Sequence, residues 1–161
     1  MLLGFVALNV GVAMSGALWK PGDWYETLDR PDWRPPNWAF PVVWTALYAM
    51  IAVAGWLAWR AAGGFGGAPG AFALYALQLA LNFAWSWLFF GRRQVQAALI
   101  EMAALWLAIL ANAVAFHAVT PAAGWLLVPY LAWVSVAFLL NLSIWRRNPQ
   151  WRRGGLSGGG A

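Results

Sequence analysis

Residues 39–62 read AFPVVWTALYAMIAVAGWLAWRAA, an apolar stretch whose single charge is Arg60. A helix rises about 1.5 Å per residue, so a run of this length crosses the ~30 Å hydrocarbon core of a bilayer. Asn37 stands where an N-cap would, and Pro41 falls in the first turn, where a missing N–H costs little. The run stops at the loop Gly63 to Gly70, which is rich in glycine.

Outward from this segment the pattern repeats. Further apolar runs cover roughly 2–19, 71–90, 95–117 and 123–145. They end at Lys20, at Gly91-Arg92-Arg93, at Thr120-Pro121 and at Arg146-Arg147-Asn148-Pro149. No Lys or Arg precedes the first run and Lys20 follows it, so it reads as a retained span and not as a secretory signal. The composition agrees: of 161 residues, 63% are hydrophobic and 9% charged, with a mean hydropathy of +0.62. Soluble domains carry ~25% charge, which excludes an ordinary cytosolic enzyme. An aromatic content of 17% excludes a disordered chain. The absence of Cys removes disulfides, thiolate metal sites and Cys nucleophiles, and one His with four Met leaves few metal ligands. The expected fold is all-α: a polytopic membrane protein, one five-helix bundle over residues 1–153 with a disordered glycine-rich tail over 154–161.

Residues 20–38, KPGDWYETLDRPDWRPPNW, form the one long polar segment. Asp23 to Leu28 has room for one or two helical turns, while Pro31, Pro35 and Pro36 forbid a continuous helix. With five spans the termini lie on opposite faces. One face then carries Lys20, Arg30, Arg34, Arg92, Arg93, Arg146, Arg147, Arg152 and Arg153, and the other only Arg60. The positive-inside rule places the C-terminus in the cytoplasm and the N-terminus outside. The net charge of +5 is thus accounted for by membrane topology, without nucleic acid.

Polar side chains inside the spans need a reason. Gln78 and Asn82, four residues apart, share one helix face. They serve either helix packing or a ligand in a pocket between helices. Glu101, the one carboxylate within an apolar run, reads as structural or interfacial, able to snorkel toward the Arg92–Arg93 face or to pair with an Arg there, since partners for a proton relay are missing. His117 reads as a wet edge residue. Of the fourteen Trp, Trp19, Trp24, Trp33, Trp38, Trp59, Trp125, Trp145 and Trp151 fall near span ends, as interfacial belts do. Trp44, Trp85, Trp87, Trp106 and Trp133 lie deeper, for aromatic packing or for a flat ligand. Ala76, Ala80 and Ala84 make a small-residue stripe, as do Ala7, Gly11 and Ser15, for close helix approach within the chain or between copies. No nucleophile–base pair, metal cluster or phosphate loop is found; Gly63-Gly64-Phe65-Gly66-Gly67 follows no strand and is a linker.

Longer motifs narrow the reading. Trp24-Tyr25-Glu26-Thr27-Leu28, Arg30-Pro31-Asp32-Trp33-Arg34-Pro35-Pro36-Asn37-Trp38 and Pro41-Val42-Val43-Trp44-Thr45-Ala46-Leu47-Tyr48 follow in order. Gln78-Leu79-Ala80-Leu81-Asn82, Phe89-Phe90-Gly91, Val128-Pro129-Tyr130-Leu131-Ala132-Trp133, Leu140-Asn141 and Trp145-Arg146 come after them. Together these resemble the translocator protein family, in its bacterial type. That family is also called the tryptophan-rich sensory proteins or peripheral-type benzodiazepine receptors. The resemblance touches all five spans and implies a membrane bundle, usually a homodimer, with a pocket lidded by the first loop.

The resemblance implies binding of porphyrins such as protoporphyrin IX and of related planar apolar ligands, in a tetrapyrrole sensor, regulator or transporter. One alternative is enzyme-like, light- and oxygen-dependent breakdown of protoporphyrin IX. Another is a sterol-binding, lipid-binding or structural partner protein. Position by position, Trp44 and Trp133 match the Trp tied to porphyrin handling and are the candidates for any catalysis. Asn82 matches the pocket amide, Tyr25 belongs to the lid, and Ala137 is the small residue shaping the pocket. Tyr48 closes the matched motif and joins them. Ala76, Ala80 and Ala84 become the dimer seam. The sterol pattern of animal members needs a Tyr where this chain has Leu142. With one interfacial His and no Cys, free-base porphyrin is expected as ligand, with no metal and no required cofactor, and no side chain presents itself as a general acid or base.

Overall fold

The computed structural model describes residues 1–151, so the expected disorder of 154–161 lies outside the described residues. Those residues form helices and no strand. Helix α1 (Leu2–Ala13) is followed by α2 (Ser15–Leu18), with Met14 between them in helical dihedrals. A single turn, α3 (Asp23–Glu26), sits in the polar loop. Then come α4 (Ala39–Ala62), α5 (Pro69–Ser86) with a π-helical extension Trp87–Gly91, and α6 (Val95–Val119). Helices α7 (Pro121–Leu126) and α8 (Val128–Arg147) make the last run. Ala39–Ala62, Pro69–Gly91, Val95–Val119 and Pro121–Arg147 are long and apolar enough to cross a membrane, and Leu2–Leu18 is a shorter apolar helix. The chain is a five-helix membrane bundle.

Local chemistry sets the helix ends. Pro69 and Pro121 open α5 and α7, where the absent N–H has no intrahelical partner to lose. Helix α4 stops because Gly63 turns left-handed (φ +72°). The Gly64 N–H then reaches the Trp59 carbonyl at 2.9 Å and the Gly63 N–H the Arg60 carbonyl at 3.3 Å, a Schellman closure. At its start the expected Asn37 cap is replaced. Trp38 occupies the N-cap with no side-chain cap bond, and the Ala39 N–H reaches the Pro36 carbonyl at 2.9 Å. The rigid Pro35-Pro36 pair supplies a backbone acceptor before Asn37 is needed.

The helices meet at one tight joint. Phe5 of α1 packs edge-on against Tyr75 of α5, with ring centres 5.8 Å apart, and both press on Gly55 of α4. The Asn9 amide donates to the Tyr75 hydroxyl and to the Phe5 carbonyl, each at 2.9 Å. Tyr75 in turn donates to the Ile51 carbonyl at 3.1 Å. Every donor on this joint ends on protein, as hydrocarbon demands. The outer faces stay apolar and open: Leu3 is 82% and Val114 64% exposed. Lipid solvates such surfaces as water solvates charge.

Two further expectations change. Glu101 neither snorkels nor pairs with Arg92 or Arg93: both carboxylate oxygens are enclosed with no hydrogen-bond partner among the described residues. Its place on α6 turns the carboxylate into the bundle. Trp24 and Trp151, both half-buried, pack on each other at 5.4 Å, and Trp24 also packs on Phe89 at 5.7 Å, where the polar loop meets the end of the bundle. Trp87, expected deeper, is exposed with Arg92 over its ring at 5.4 Å.

A Cβ on residue 55 would stand 2.8 Å from Phe5 Cδ1 and 2.9 Å from Tyr75 Cζ. Gly55→Ala is therefore expected to cost ~1–3 kcal/mol, the usual penalty of overpacking. The measurement is thermal unfolding in detergent, with Gly11→Ala, which meets open space, as the silent control.

Candidate functional site

A cavity of about 1060 Å³ lies between α1, α4, α5 and α8 and reaches the loop before α4. The helical repeat builds its walls. On α4, Phe40, Trp44, Tyr48 and Ala52 stand four residues apart, one above the other, and all line it. Trp133, Ala137 and Asn141 do the same on α8, and Asn82 and Ser86 on α5, with Phe89 of its π-helical extension beside them. Val6 and Val10 of α1, with Thr45 and Ala49 of α4, line the cavity while being exposed. Along the α1–α4 seam the cavity therefore faces the bilayer.

The walls are flat and aromatic. Trp44 stacks on Tyr48, with ring centres 5.5 Å apart and planes at 29°. Trp133 meets Phe40 edge-on at 5.6 Å, and Trp85 stacks on Phe89 at 5.2 Å. Polar groups are few and fixed. The Tyr48 hydroxyl donates to Asn82 Oδ1 at 2.7 Å, and Asn82 Nδ2 donates to the Tyr130 hydroxyl at 2.8 Å. Tyr130 donates onward to Gln78 Oε1 at 2.9 Å. Tyr48 thus spends its proton on Asn82 and keeps its lone pairs as acceptors at the cavity wall. A second relay holds Trp85: its indole N–H donates to Asn141 Oδ1 at 3.2 Å, and Asn141 Nδ2 donates to the Val95 carbonyl at 3.2 Å.

The loop closes one end. Tyr25 and Glu26 line the cavity, with Tyr25 edge-on to Phe90 at 5.8 Å. Arg30 lies over the Tyr25 ring at 4.8 Å and bonds Glu26 at 2.9 Å, so its charge serves the lid. Arg34 sits in a separate shallow depression with Asp32, Pro35, Pro36, Asn37 and Trp38. Of the three basic loop residues, Lys20 is the one that lines the main cavity.

The structure brings Tyr25, Trp44, Tyr48, Asn82, Trp133 and Ala137 to this one cavity. Ala76 and Ala80 lie on the exposed face of α5 and Ala84 is half-buried; none of the three lines the cavity. Sequence reasoning missed the hub, Tyr130, which is fully buried and joins α8 to both amides of α5. It also gave no special place to Phe40, Phe89 or Asn141. Only the helical register of α4, α5 and α8 relative to one another selects these from many similar residues.

The TspO/MBR family model matches residues 3–146. The translocator protein of Sus scrofa is 44% identical over 133 residues, 82% of this chain and 78% of its own length. The tryptophan-rich sensory protein of Cereibacter sphaeroides is 40% identical over 153 residues, 95% of this chain and 93% of its own. Protein CrtK of Rhodobacter capsulatus is 38% identical over 135 residues, 84% of each chain. A bundle of apolar helices around an aromatic cavity, matched over most of its length by these relatives, makes this chain an integral, multi-pass membrane protein of the TspO/MBR family.

Proposed function

We propose that the cavity binds porphyrins, protoporphyrin IX among them, and related planar apolar ligands, and that the protein acts as a tetrapyrrole sensor or transporter. The observation that carries this reading is the pairing of flat aromatic walls, Trp44 on Tyr48 and Trp85 on Phe89, with very few polar groups. The volume of about 1060 Å³ is at the top of the ~300–1,000 Å³ range of small-molecule sites, which suits a large flat guest. The acceptor face of Tyr48 suits a pyrrole N–H, and Lys20 at the rim suits a propionate. The seam facing the bilayer suits a ligand that partitions into lipid. Because Trp44 and Trp133 both border the cavity, a second reading is light-driven oxidation of the bound pigment by dioxygen, with the indoles as neighbours of the excited ring.

The outward stripe of Ala76 and Ala80 on α5, beside the exposed Leu77, supports a homodimer seam. The basic residues support an orientation with the lid and C-terminus in the cytoplasm. Arg93 stands over Trp24 of the lid loop at 5.8 Å, and Arg147 reaches Asp29 at 3.5 Å, so these positives gather at one end.

Titrating the purified protein with protoporphyrin IX in the dark is expected to give saturable quenching of Trp fluorescence. Trp44→Phe with Trp133→Phe is expected to weaken binding roughly tenfold, ~1.4 kcal/mol over the two aromatic contacts together. Unsaturable quenching in the wild type would remove the binding reading. Under illumination, pigment loss that is the same with and without both indoles would remove the oxidative one.

Tyr130→Phe strips the hub and leaves Asn82 Nδ2 and Gln78 Oε1 without their partner. A buried orphan costs ~1–3 kcal/mol, so a lower unfolding temperature and weaker porphyrin binding are expected together.

A further inference from the structure

Asn148 follows the last turn of α8 and is 2% exposed, unusual for an amide at a helix end. Its side chain reads the backbone of a residue 119 positions away. Asn148 Oδ1 accepts the Asp29 N–H at 2.9 Å, and Nδ2 donates to the Asp29 carbonyl at 2.9 Å. Nδ2 also donates to the Ile144 carbonyl at 2.8 Å, which anchors the amide to its own helix. The group thus makes three bonds in fixed directions, two of them to one peptide segment of the lid loop.

We infer that Asn148 is the positioning residue that holds the lid closed over the cavity. Leu28, next to Asp29, is buried in the apolar cluster beneath the lid together with Tyr25, Phe89 and Ile144. Tyr25 and Ile144 both line the cavity. The clamp therefore lies directly behind the lid residues that a ligand would touch. The loop 20–38 cannot close itself: three prolines between 31 and 36 deny it a regular helix, and α3 is a single turn. Its tyrosine and leucine give it an apolar footing but no fixed register. A bidentate amide–backbone clamp supplies the register, since sliding the loop by one residue would break both bonds at once. The nearby Arg147–Asp29 pair, 3.5 Å apart with both side chains exposed, is a minor support.

The porphyrin arm of the test rests on the proposed binding function; the exchange arm does not. The full chain is compared in detergent as wild type, Asn148→Ala, Asn148→Asp and Arg147→Ala. Asn148→Ala is expected to speed amide hydrogen exchange at Asp29 at least tenfold while the amides of α5 keep their protection. Asn148→Asp keeps an acceptor for the Asp29 N–H but loses both donations, so it is expected to fall between wild type and Asn148→Ala, and it carries the comparison if the alanine variant unfolds. Arg147→Ala is expected to change little. Dissociation of protoporphyrin IX is expected to quicken roughly five- to twentyfold in both Asn148 variants, with association faster too. Unchanged exchange at Asp29, or freed exchange with an unchanged porphyrin dissociation rate, overturns the inference. If wild type shows no saturable porphyrin binding, the binding function falls, and the clamp stands or falls on the Asp29 amide alone.

Discussion

Hydrocarbon offers no hydrogen bonds, and the molecule is organised around that poverty. The chain Tyr48, Asn82, Tyr130 and Gln78 runs from the cavity wall into the bundle, each group answering the next at 2.7 to 2.9 Å. It ties α4, α5 and α8 together by bonds that no solvent competes for. Because these side chains are spoken for, the Trp44–Tyr48 stack is held as a rigid wall, with its orientation set from behind. The joint of Asn9, Tyr75 and Ile51 does the same for α1, α4 and α5.

Between these two bonded layers the helices leave a space and line it with indoles. Aromatic rings give the walls area with at most one polar group each, an indole N–H or a phenol hydroxyl. Trp85 hands its N–H to Asn141, whereas the Trp133 N–H is enclosed with no hydrogen-bond partner among the described residues. The lid is built on another principle. It lies at the end of the bundle, where loops can meet water, and it is held by one amide, ring contacts and ion pairs. The cavity thus joins rigid walls to a cover whose attachments are few.

Sequence reasoning went far along this protein because hydropathy is a local property. A run such as 39–62 announces a span without knowledge of its neighbours, and the all-α membrane bundle follows. It went wrong where a residue's fate depends on direction. Glu101 read as a residue able to reach the Arg92–Arg93 end, yet its helix face turns inward and its carboxylate is enclosed. Trp24 and Trp151 read as separate residues near span ends, and only the loop's return brings their rings edge to edge. Distance along the chain told where they were and not which way they pointed.

Composition, run lengths and motif order by themselves determined the solvent, the helical class and the family. Tertiary structure decided which polar groups complete one another. The pairs that matter are 34, 48 and 119 residues apart: Tyr48 with Asn82, Asn82 with Tyr130, and Asn148 with Asp29. Local pattern is blind to such pairs, because many buried amides and hydroxyls have the same flanking hydropathy. Only the rotation and depth of packed helices set which of them stand within 3 Å of each other.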